Sequence, residues 1–155
     1  MTANSANAPA LQPPPKPSPA LKRLERLVGT WDIKGRTLDS KEDNISGRMT
    51  CEWLPGEFFL KQSGEIYFRG LKFQSLEIIG YDPSSETFPS SVYSNMSGIV
   101  LPYQWSVEGN TVTHWTHAHK YTGAFSEDGR TLSGGWRPVE GTGGGAYDAV
   151  MTRVD

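Results

Sequence analysis

The three histidines of this chain, His114, His117 and His119, lie within one short segment. If that segment is extended, His117 and His119 point to one side and His114 to the other, because side chains alternate along a strand. Two imidazoles supply only two ligands, and a first-row metal ion requires at least a third. The conceivable third ligands are Glu65, Glu77 and Asp148. Nothing in the spacing selects one of them. A polar bend between two strands at the barrel mouth is the favoured explanation of residues 117–120, so we predict no metal site.

The same histidines are candidates for proton transfer. An imidazole that titrates near neutrality, beside a carboxylate or a tyrosine in a pocket, can act as a general acid or base. Glu77 is flanked by Leu76, Ile78 and Ile79, which makes it the carboxylate best placed to be partly buried. The alternative is that Glu77 is the outward polar member of an alternating strand. We therefore take His114, His117, His119 and Glu77 as the candidate catalytic residues.

Aromatic residues are frequent in the body of the chain, with five tryptophans and six tyrosines. Aromatic side chains inside a β-barrel could form a pocket for a flat or apolar molecule, and the alternative is that they pack the core. The candidate ligand-binding residues are Trp53, Tyr67, Tyr93, Tyr103, Trp105 and Trp115. The direction in which each points is not determined by the sequence from Tyr67 onward.

The candidate site residues lie in short runs rich in Thr, Ile, Val, Phe, Tyr and Trp. Glycine or Asn/Asp turns separate these runs. Such runs predict β-strands, and no helical pattern long enough for a parallel crossover separates them. The predicted strands are near 30–38, 46–54, 57–68, 72–81, 87–95, 101–107, 111–117, 120–126, 130–137 and 146–154. About ten consecutive strands favour an all-β fold, a single antiparallel up-and-down barrel whose closure removes the exposed edges.

The N-terminal part of the chain differs in composition. Six of the eleven prolines lie between residues 9 and 19, and this segment has too few large apolar side chains to offset the entropy of ordering. We expect residues 1–20 to form a disordered tail, with docking to a protein partner through its polyproline run as the alternative. Leu21, Leu24 and Leu27 then predict a short helix over 20–28 that Gly29 ends. A single domain is expected over 21–155.

Where alternation is clean, the inward side of a strand can be predicted. In the first strand, Trp31 and Ile33 alternate with polar residues. In the second strand, Met49, Cys51 and Trp53 alternate with polar residues in the same way. All five side chains are therefore expected to point inward. Cys51 is therefore expected to be a buried small hydrophobe rather than a reactive thiolate, because no neighbouring cation is evident.

Several classes of function are disfavoured. A net charge of −2 offers no basic surface for phosphates, so we expect no nucleic-acid partner. No apolar run is long enough to span a bilayer, and the first residues lack the features of a secretion signal, so a cytoplasmic protein without a membrane partner is expected. The motifs of serine hydrolases and of phosphate-binding loops are absent, and the glycine run 141–145 lies between two predicted strands.

The segment Gly29-Thr30-Trp31 on the first strand and Thr152-Arg153 on the last resemble the signature of the calycin barrels, which include lipocalins, fatty-acid-binding proteins and nitrobindins. In that group, a basic residue from the final strand covers the Gly-x-Trp tryptophan at the barrel floor. The resemblance implies that Trp31 and Arg153 close the barrel, through packing and a cation–π contact of about 0.5–2 kcal/mol.

A longer stretch, from Leu27 to Val154, resembles a bacterial family of unknown function with a calycin-like barrel. The shared segments are 48–56, 58–60, 79–83, 121–123, 126–130 and 152–154. They consist mostly of turn and packing positions, so the resemblance implies the fold and little about the chemistry.

Nitrobindins bind haem through a histidine on the last strand. The corresponding segment here, 145–149, contains no histidine, and ligation of haem iron by Tyr147 would be the rarer arrangement. We therefore predict no cofactor. The function that the sequence favours is binding of a small hydrophobic or aromatic molecule in the barrel. The alternative is a cofactor-free acid/base enzyme, such as an isomerase, cyclase or hydrolase, acting on such a molecule. The oligomeric state stays open.

Overall fold

The computed structural model describes residues 10–140 and 145–155, and over these residues the chain forms a closed antiparallel β-barrel. Its ten strands follow one another around the barrel, and β1 closes it by pairing with both β2 and β10. The strands are β1 Gly29–Thr37, β2 Ile45–Trp53, β3 Leu60–Phe68, β4 Leu71–Ile79, β5 Phe88–Ser94, β6 Ser97–Glu108, β7 Thr111–Trp115, β8 His119–Phe125, β9 Thr131–Pro138 and β10 Tyr147–Arg153. The predicted all-β barrel of about ten strands is confirmed.

Two strands begin at a different residue from the one that the sequence predicts, and a local feature explains each difference. The third strand begins at Leu60 rather than at residue 57, because Gly56 and Glu57 have positive φ angles of 89° and 61° in the preceding turn. The sixth begins at Ser97 rather than at 101, and its pairing with β5 shifts register between Val92 and Ser94. Such an irregularity lets one strand carry extra residues without ending the ladder.

The predicted short helix is a 3-10 helix over Pro19–Leu27. Leu21, Leu24 and Leu27 are three residues apart, which places them on one side of a helix with three residues per turn, and all three are buried. Ser18 precedes the helix, and its Oγ accepts a hydrogen bond from the amide of Ala20 at 3.3 Å. The helix contributes its leucines to the same core cluster as the barrel strands.

One end of the barrel is closed by Trp31, Arg153 and this helix. Trp31 is fully buried, and its indole Nε1 donates to the carbonyl of Leu27 at 2.9 Å. The Arg153 guanidinium lies 4.3 Å from the centre of the Trp31 ring. It also donates hydrogen bonds to the carbonyls of Val28 and Arg26, which are at the end of the helix. The guanidinium therefore ties the last strand, the first strand and the helix together.

The side chains of Cys51 and Trp53 lie on the inner side of β2. Cys51 is 1% exposed, and burial, together with the negative charge of Glu77, raises the pKa of its thiol to about 12. Cys51 is the buried small hydrophobe that the sequence predicted, because a thiol with this pKa stays protonated at neutral pH. Trp53 lies at the closed end, where its Nε1 donates to the Glu25 carboxylate of the helix at 2.7 Å.

Three further observations complete the fold. None of the described helical residues forms a helix that is long and apolar enough to cross a membrane. Residues 1–9 of the expected tail, and residues 141–144 of the glycine run, lie outside the described residues. Residues 10–16 are exposed.

Candidate functional site

The barrel holds a cavity of about 210 Å³ between its inward-facing side chains. Eight of its seventeen lining residues are aliphatic. Five aromatic side chains contribute to it, Tyr103, Trp105, Tyr121, Trp136 and Tyr147. Four polar side chains do as well, Gln62, Ser75, Glu77 and His114. The larger depressions among the described residues, such as one of about 640 Å³ along β2 to β5, are open grooves on the outer surface.

Register explains why Glu77 points into this cavity. Glu77 lies opposite Gln62 on β3 and opposite Val92 on β5. Residues that are directly opposite on paired strands share a face, and Gln62 in turn lies opposite the buried Cys51. Of the two orientations that the sequence left open for Glu77, the structure has the inward one, and the residue is 4% exposed.

The Glu77 carboxylate is the centre of a buried hydrogen-bond cluster. Its Oε2 accepts from Ser90 Oγ at 2.6 Å and from the indole Nε1 of Trp105 at 2.7 Å. His114 Nε2 lies 3.0 Å from the same oxygen. The three partners come from β5, β6 and β7, so the carboxylate of β4 connects four successive strands on the inside of the barrel.

Burial by itself raises the pKa of Glu77, and it is the largest single influence on that pKa. The positive charge that His114 can carry, and the hydrogen bonds from His114, Ser90 and Trp105, oppose burial and outweigh it. The pKa of Glu77 is therefore held below its ordinary value. The carboxylate is ionised at neutral pH, although it is almost completely buried.

Aromatic rings surround His114. The imidazole stacks on Trp105, with ring centres 3.9 Å apart and planes at 20°. Tyr103 lies 4.7 Å away, and Trp136 meets the ring edge-on at 5.0 Å. With Nε2 directed at Glu77, these contacts fix the orientation of the ring. The contact with Glu77 is made by Nε2, and Nδ1 is the ring nitrogen outside that contact.

Two further lining side chains carry unpartnered polar atoms. Gln62 Oε1 and Tyr121 Oη are buried and have no hydrogen-bond partner within residues 10–140 and 145–155. Burial raises the pKa of Tyr121 to about 12, and it raises the pKa of Tyr103 with a further contribution from the charge of Glu77. Both phenols are therefore neutral hydrogen-bond donors at physiological pH.

Tyr121 lies flat over two glycines on neighbouring strands. A Cβ at Gly123 would lie 2.3 Å from Tyr121 Oη, and one at Gly134 would lie 2.8 Å from it. Such contacts are far shorter than a van der Waals distance, so any larger residue would displace the ring. The absence of side chains at these two positions is what allows the tyrosine to lie along the wall.

The structure brings four of the predicted site residues together: Glu77, Tyr103, Trp105 and His114 line one cavity. His117 and His119 do not join them. His117 is exposed in the connection between β7 and β8, and His119 begins β8 at the opposite end of the barrel from Trp31, where it is half-buried. The expected pairing of His117 with His119 on one face is replaced by a turn, because β7 ends at Trp115.

Four of the expected ligand-binding residues do not line the cavity, and the expectation is corrected for each. Tyr67 and Tyr93 lie on the outer face, 46% and 47% exposed. Trp115 also lies on the outer face, opposite the exposed Lys120, and Trp53 lies at the closed end against the helix. For Tyr67, Tyr93 and Trp115 the reason is the two-residue period of a strand, because a neighbour of an inward residue must point outward. Tyr93, for example, follows the inward Val92.

Sequence reasoning missed several residues of the site. Tyr121 carried a usable signal, because it alternates with Lys120, Thr122 and Ala124 as the apolar member of its strand. The other polar and aromatic residues that it missed are Gln62, Ser75, Ser90, Trp136 and Tyr147. Gln62 and Ser90 had no signal, since a polar residue among other polar residues does not reveal its direction.

The described residues contain no group of three or more His, Cys, Asp and Glu side chains that could hold a metal ion. The site is therefore built from one carboxylate, one imidazole, neutral hydrogen-bonding groups and aromatic rings. This set can bind an organic molecule, and it can move a proton at His114.

Comparison with known proteins gives a family without an activity. A family model described as "protein of unknown function (DUF1579)" matches residues 16–130. The crystal structure of Rv2717c from M. tuberculosis is 15% identical to this chain, over 90% of this chain and 100% of that one, with a TM-score of 0.49. No curated protein matches the sequence.

Proposed function

Since the chain belongs to a family of proteins of unknown function, DUF1579, we propose from its own geometry that the barrel binds a small, largely apolar or aromatic molecule. The observation that carries the proposal is the interior cavity, which has an aliphatic and aromatic lining and only a few polar groups. This composition is typical of small-molecule sites, where apolar surface supplies affinity and a few polar groups supply orientation.

The cavity volume limits the size of the ligand. An apolar protein cavity of about 150 Å³ can hold benzene. A cavity of about 210 Å³ suits a molecule with one ring system and a short substituent. Haem and long acyl chains are too large for this volume.

Binding of indole tests the proposal. Titration calorimetry should detect the binding of indole in the cavity, and indole should raise the melting temperature by mass action. Ala149 lines the cavity and its neighbour Val150 is exposed. We expect Ala149→Leu to weaken indole binding at least about tenfold, while Val150→Leu, which places the same side chain outside, binds like the wild type.

Absence of indole binding to the wild type at millimolar concentration would contradict the proposal without any variant. Equal binding by Ala149→Leu and the wild type would also contradict it, provided that circular dichroism shows the variant to be folded.

The Glu77–His114 contact favours a second function, proton transfer on the bound molecule. His114 Nδ1 can accept a proton from an acidic C–H group of the ligand, which leaves a carbanion or enolate, and Glu77 stabilises the imidazolium that forms. Return of the proton to another position would complete an isomerisation.

Exchange of the α-protons of phenylacetone in deuterated water, followed by proton NMR, tests this second function. His114→Gln should abolish the exchange that the wild type catalyses, whereas His117→Gln, which changes an exposed histidine, should retain it. Exchange by the wild type no faster than by His114→Gln would exclude proton transfer by His114 on this probe and leave the binding proposal intact.

A further inference from the structure

Three polar side chains of the cavity, Gln62, Glu77 and His114, carry hydrogen-bond acceptors, beside the phenol donors of Tyr103 and Tyr121. All three donors to the Glu77 carboxylate bind Oε2, and Oε1 accepts no hydrogen bond from a residue in the described ranges. Gln62, directly opposite Glu77 on β3, has a buried carbonyl oxygen without a partner among the same residues. Oxygen atoms of this kind are costly to bury unless a donor reaches them.

His114 carries a third acceptor. A neutral imidazole that donates from Nε2 to Glu77 has a lone pair on Nδ1, the ring nitrogen outside that contact. Glu77, Gln62 and His114 therefore each present an acceptor that a ligand could satisfy.

The charged side chains of the cavity also favour a ligand that donates hydrogen bonds. Among its described lining residues, Glu77 is the one carboxylate, and no lysine or arginine is present. The Glu77 carboxylate places a negative charge among mostly apolar side chains, and His114, which contacts it through Nε2, is the one imidazole of this lining. A charge in such surroundings interacts strongly with a ligand of opposite sign, because little water screens it.

The aromatic residues near the carboxylate suit the same ligand. Trp105 contacts Glu77 through its indole nitrogen, and Tyr103 and Trp136 lie within about 6.1 Å of each other beside His114. The faces of such rings are negative, so they attract cations. A carboxylate together with several aromatic rings is a chemical setting that favours an organic ammonium group.

We propose that the ligand of this cavity is a small aromatic amine in its ammonium form, whose nitrogen donates hydrogen bonds to Glu77 Oε1 and to its acceptor neighbours. This inference rests on the proposed binding function and names the class of ligand. The apolar part of the amine fills the aliphatic and aromatic remainder of the cavity. Anionic ligands such as carboxylic acids are disfavoured, because the described lining offers them a carboxylate and neither a lysine nor an arginine.

Three probes of similar shape separate the effects of charge and of apolar fit. They are 2-phenylethylamine as the cation, 2-phenylethanol as the neutral analogue and 3-phenylpropionate as the anion. Titration calorimetry at about pH 8, where alkylammonium groups stay protonated, should give the order amine, alcohol, carboxylate. We expect the amine to bind at least about tenfold more tightly than the alcohol.

A matched pair of variants tests whether the preference for amine over alcohol depends on the Glu77 carboxylate. Glu77→Gln keeps the shape of the side chain and removes its charge, so the preference for amine over alcohol should fall to within about twofold. Glu65→Gln makes the same change on β3, where the carboxylate is 43% exposed and pairs with Lys72, and should keep the wild-type preference.

The outcomes distinguish this inference from the function on which it rests. Binding of the alcohol as tightly as the amine, or tightest binding of the carboxylate, would overturn the amine proposal and leave the binding function standing. Failure of all three probes and of indole would overturn both. If Glu65→Gln also loses the preference for amine over alcohol, the preference depends on the general surface charge. That result would contradict the role of Glu77. If Glu77→Gln does not fold, the order of the three probes on the wild type still decides the proposal.

Discussion

At the scale of single residues, the interior of the barrel depends on one ionised carboxylate. Glu77 stays charged inside the protein because Ser90, Trp105 and His114 each supply a hydrogen bond to Oε2. Buried charges are tolerated only with partners of this kind. The cost of burial is thus offset by groups from three different strands, and Glu77 consequently contributes to the stability of the barrel as well as to the polarity of the cavity.

The pH dependence of stability should reveal this carboxylate. A carboxyl group whose pKa is lower in the folded state stabilises the fold above its ordinary pKa of about 4.3, and this contribution disappears as the pH falls further. We expect Glu77→Gln to lower the free energy of unfolding by about 1–3 kcal/mol at pH 7. Urea unfolding should show this difference shrinking between about pH 5 and pH 3.

Glu127→Gln, in the exposed turn between β8 and β9, serves as the control and should follow the wild type at every pH. A difference between Glu77→Gln and the wild type that stays constant with pH would show that the pKa of Glu77 is not depressed in the folded protein.

The hydroxyl of Tyr121 should contribute little to stability in the absence of ligand. Its Oη is buried without a partner among the described residues, so Tyr121→Phe removes no hydrogen bond and relieves the burial of a polar atom. We expect the free energy of unfolding to stay equal or to rise. Ser90→Ala, which removes a hydroxyl bonded to Glu77 at 2.6 Å, should lower it by about 1–3 kcal/mol. Similar losses in both variants would indicate an unrecognised partner of Tyr121.

At the scale of elements, the 3-10 helix is part of the barrel core. Its three leucines are buried, and its last carbonyls receive the hydrogen bonds of Arg153 and Trp31. Arg26 of the helix donates to the Gly109 carbonyl at 2.7 Å and lies 4.3 Å from the centre of the Phe125 ring. A short 3-10 helix has poor hydrogen-bond geometry of its own, so these tertiary contacts are what stabilise it.

Two neighbouring helix positions test this interpretation. Leu24 is 0% exposed, and Leu24→Ala should lower the free energy of unfolding by about 2–5 kcal/mol because it leaves a cavity at the closed end. Arg23, beside it in the sequence, is exposed, and Arg23→Ala should change stability by less than about 0.5 kcal/mol. Urea unfolding measures both, and equal small effects would mean that the helix is not required by the barrel.

At the scale of the whole molecule, one closed sheet accounts for the described body of the chain. Closure gives every strand of the barrel a partner on both sides, and the first residues of β4 and β6 extend beyond β5 and β7. Residues 10–16 lie outside this body and are exposed, and Ser18 is where contact with the helix begins. We propose that the proline-rich N-terminal segment makes no contribution to the stability of the barrel.

Removal of residues 1–16 tests this division of the chain. The shortened protein retains Ser18 and Pro19, so the start of the helix is intact. We expect its melting temperature and its unfolding midpoint in urea to match those of the full chain. A loss larger than about 1 kcal/mol would indicate that the segment packs against the barrel and would contradict the proposed division.

The order of residues along the chain was enough to predict the elements of the fold. Alternating apolar residues, turn residues such as Gly109 and Gly129, and the leucine spacing of the helix are local signals, and the observed strands follow them within a few residues. The contact between Arg153 and Trp31 is predicted only by the resemblance to the calycin barrels, because two residues so far apart in the sequence share no local pattern.

The composition of the site, in contrast, was decided by the closed sheet. A shift of one residue in register would turn every side chain of a strand to its other face, and no local pattern set the register of β4 to β7. Pairing around the barrel turned Glu77, Trp105 and His114 inward and left Tyr67 and Tyr93 outside. Sequence alone supplied the residues that could carry charge and aromatic surface. Which of them meet is determined by the pairing of ten strands, since only that pairing fixes the direction of each side chain.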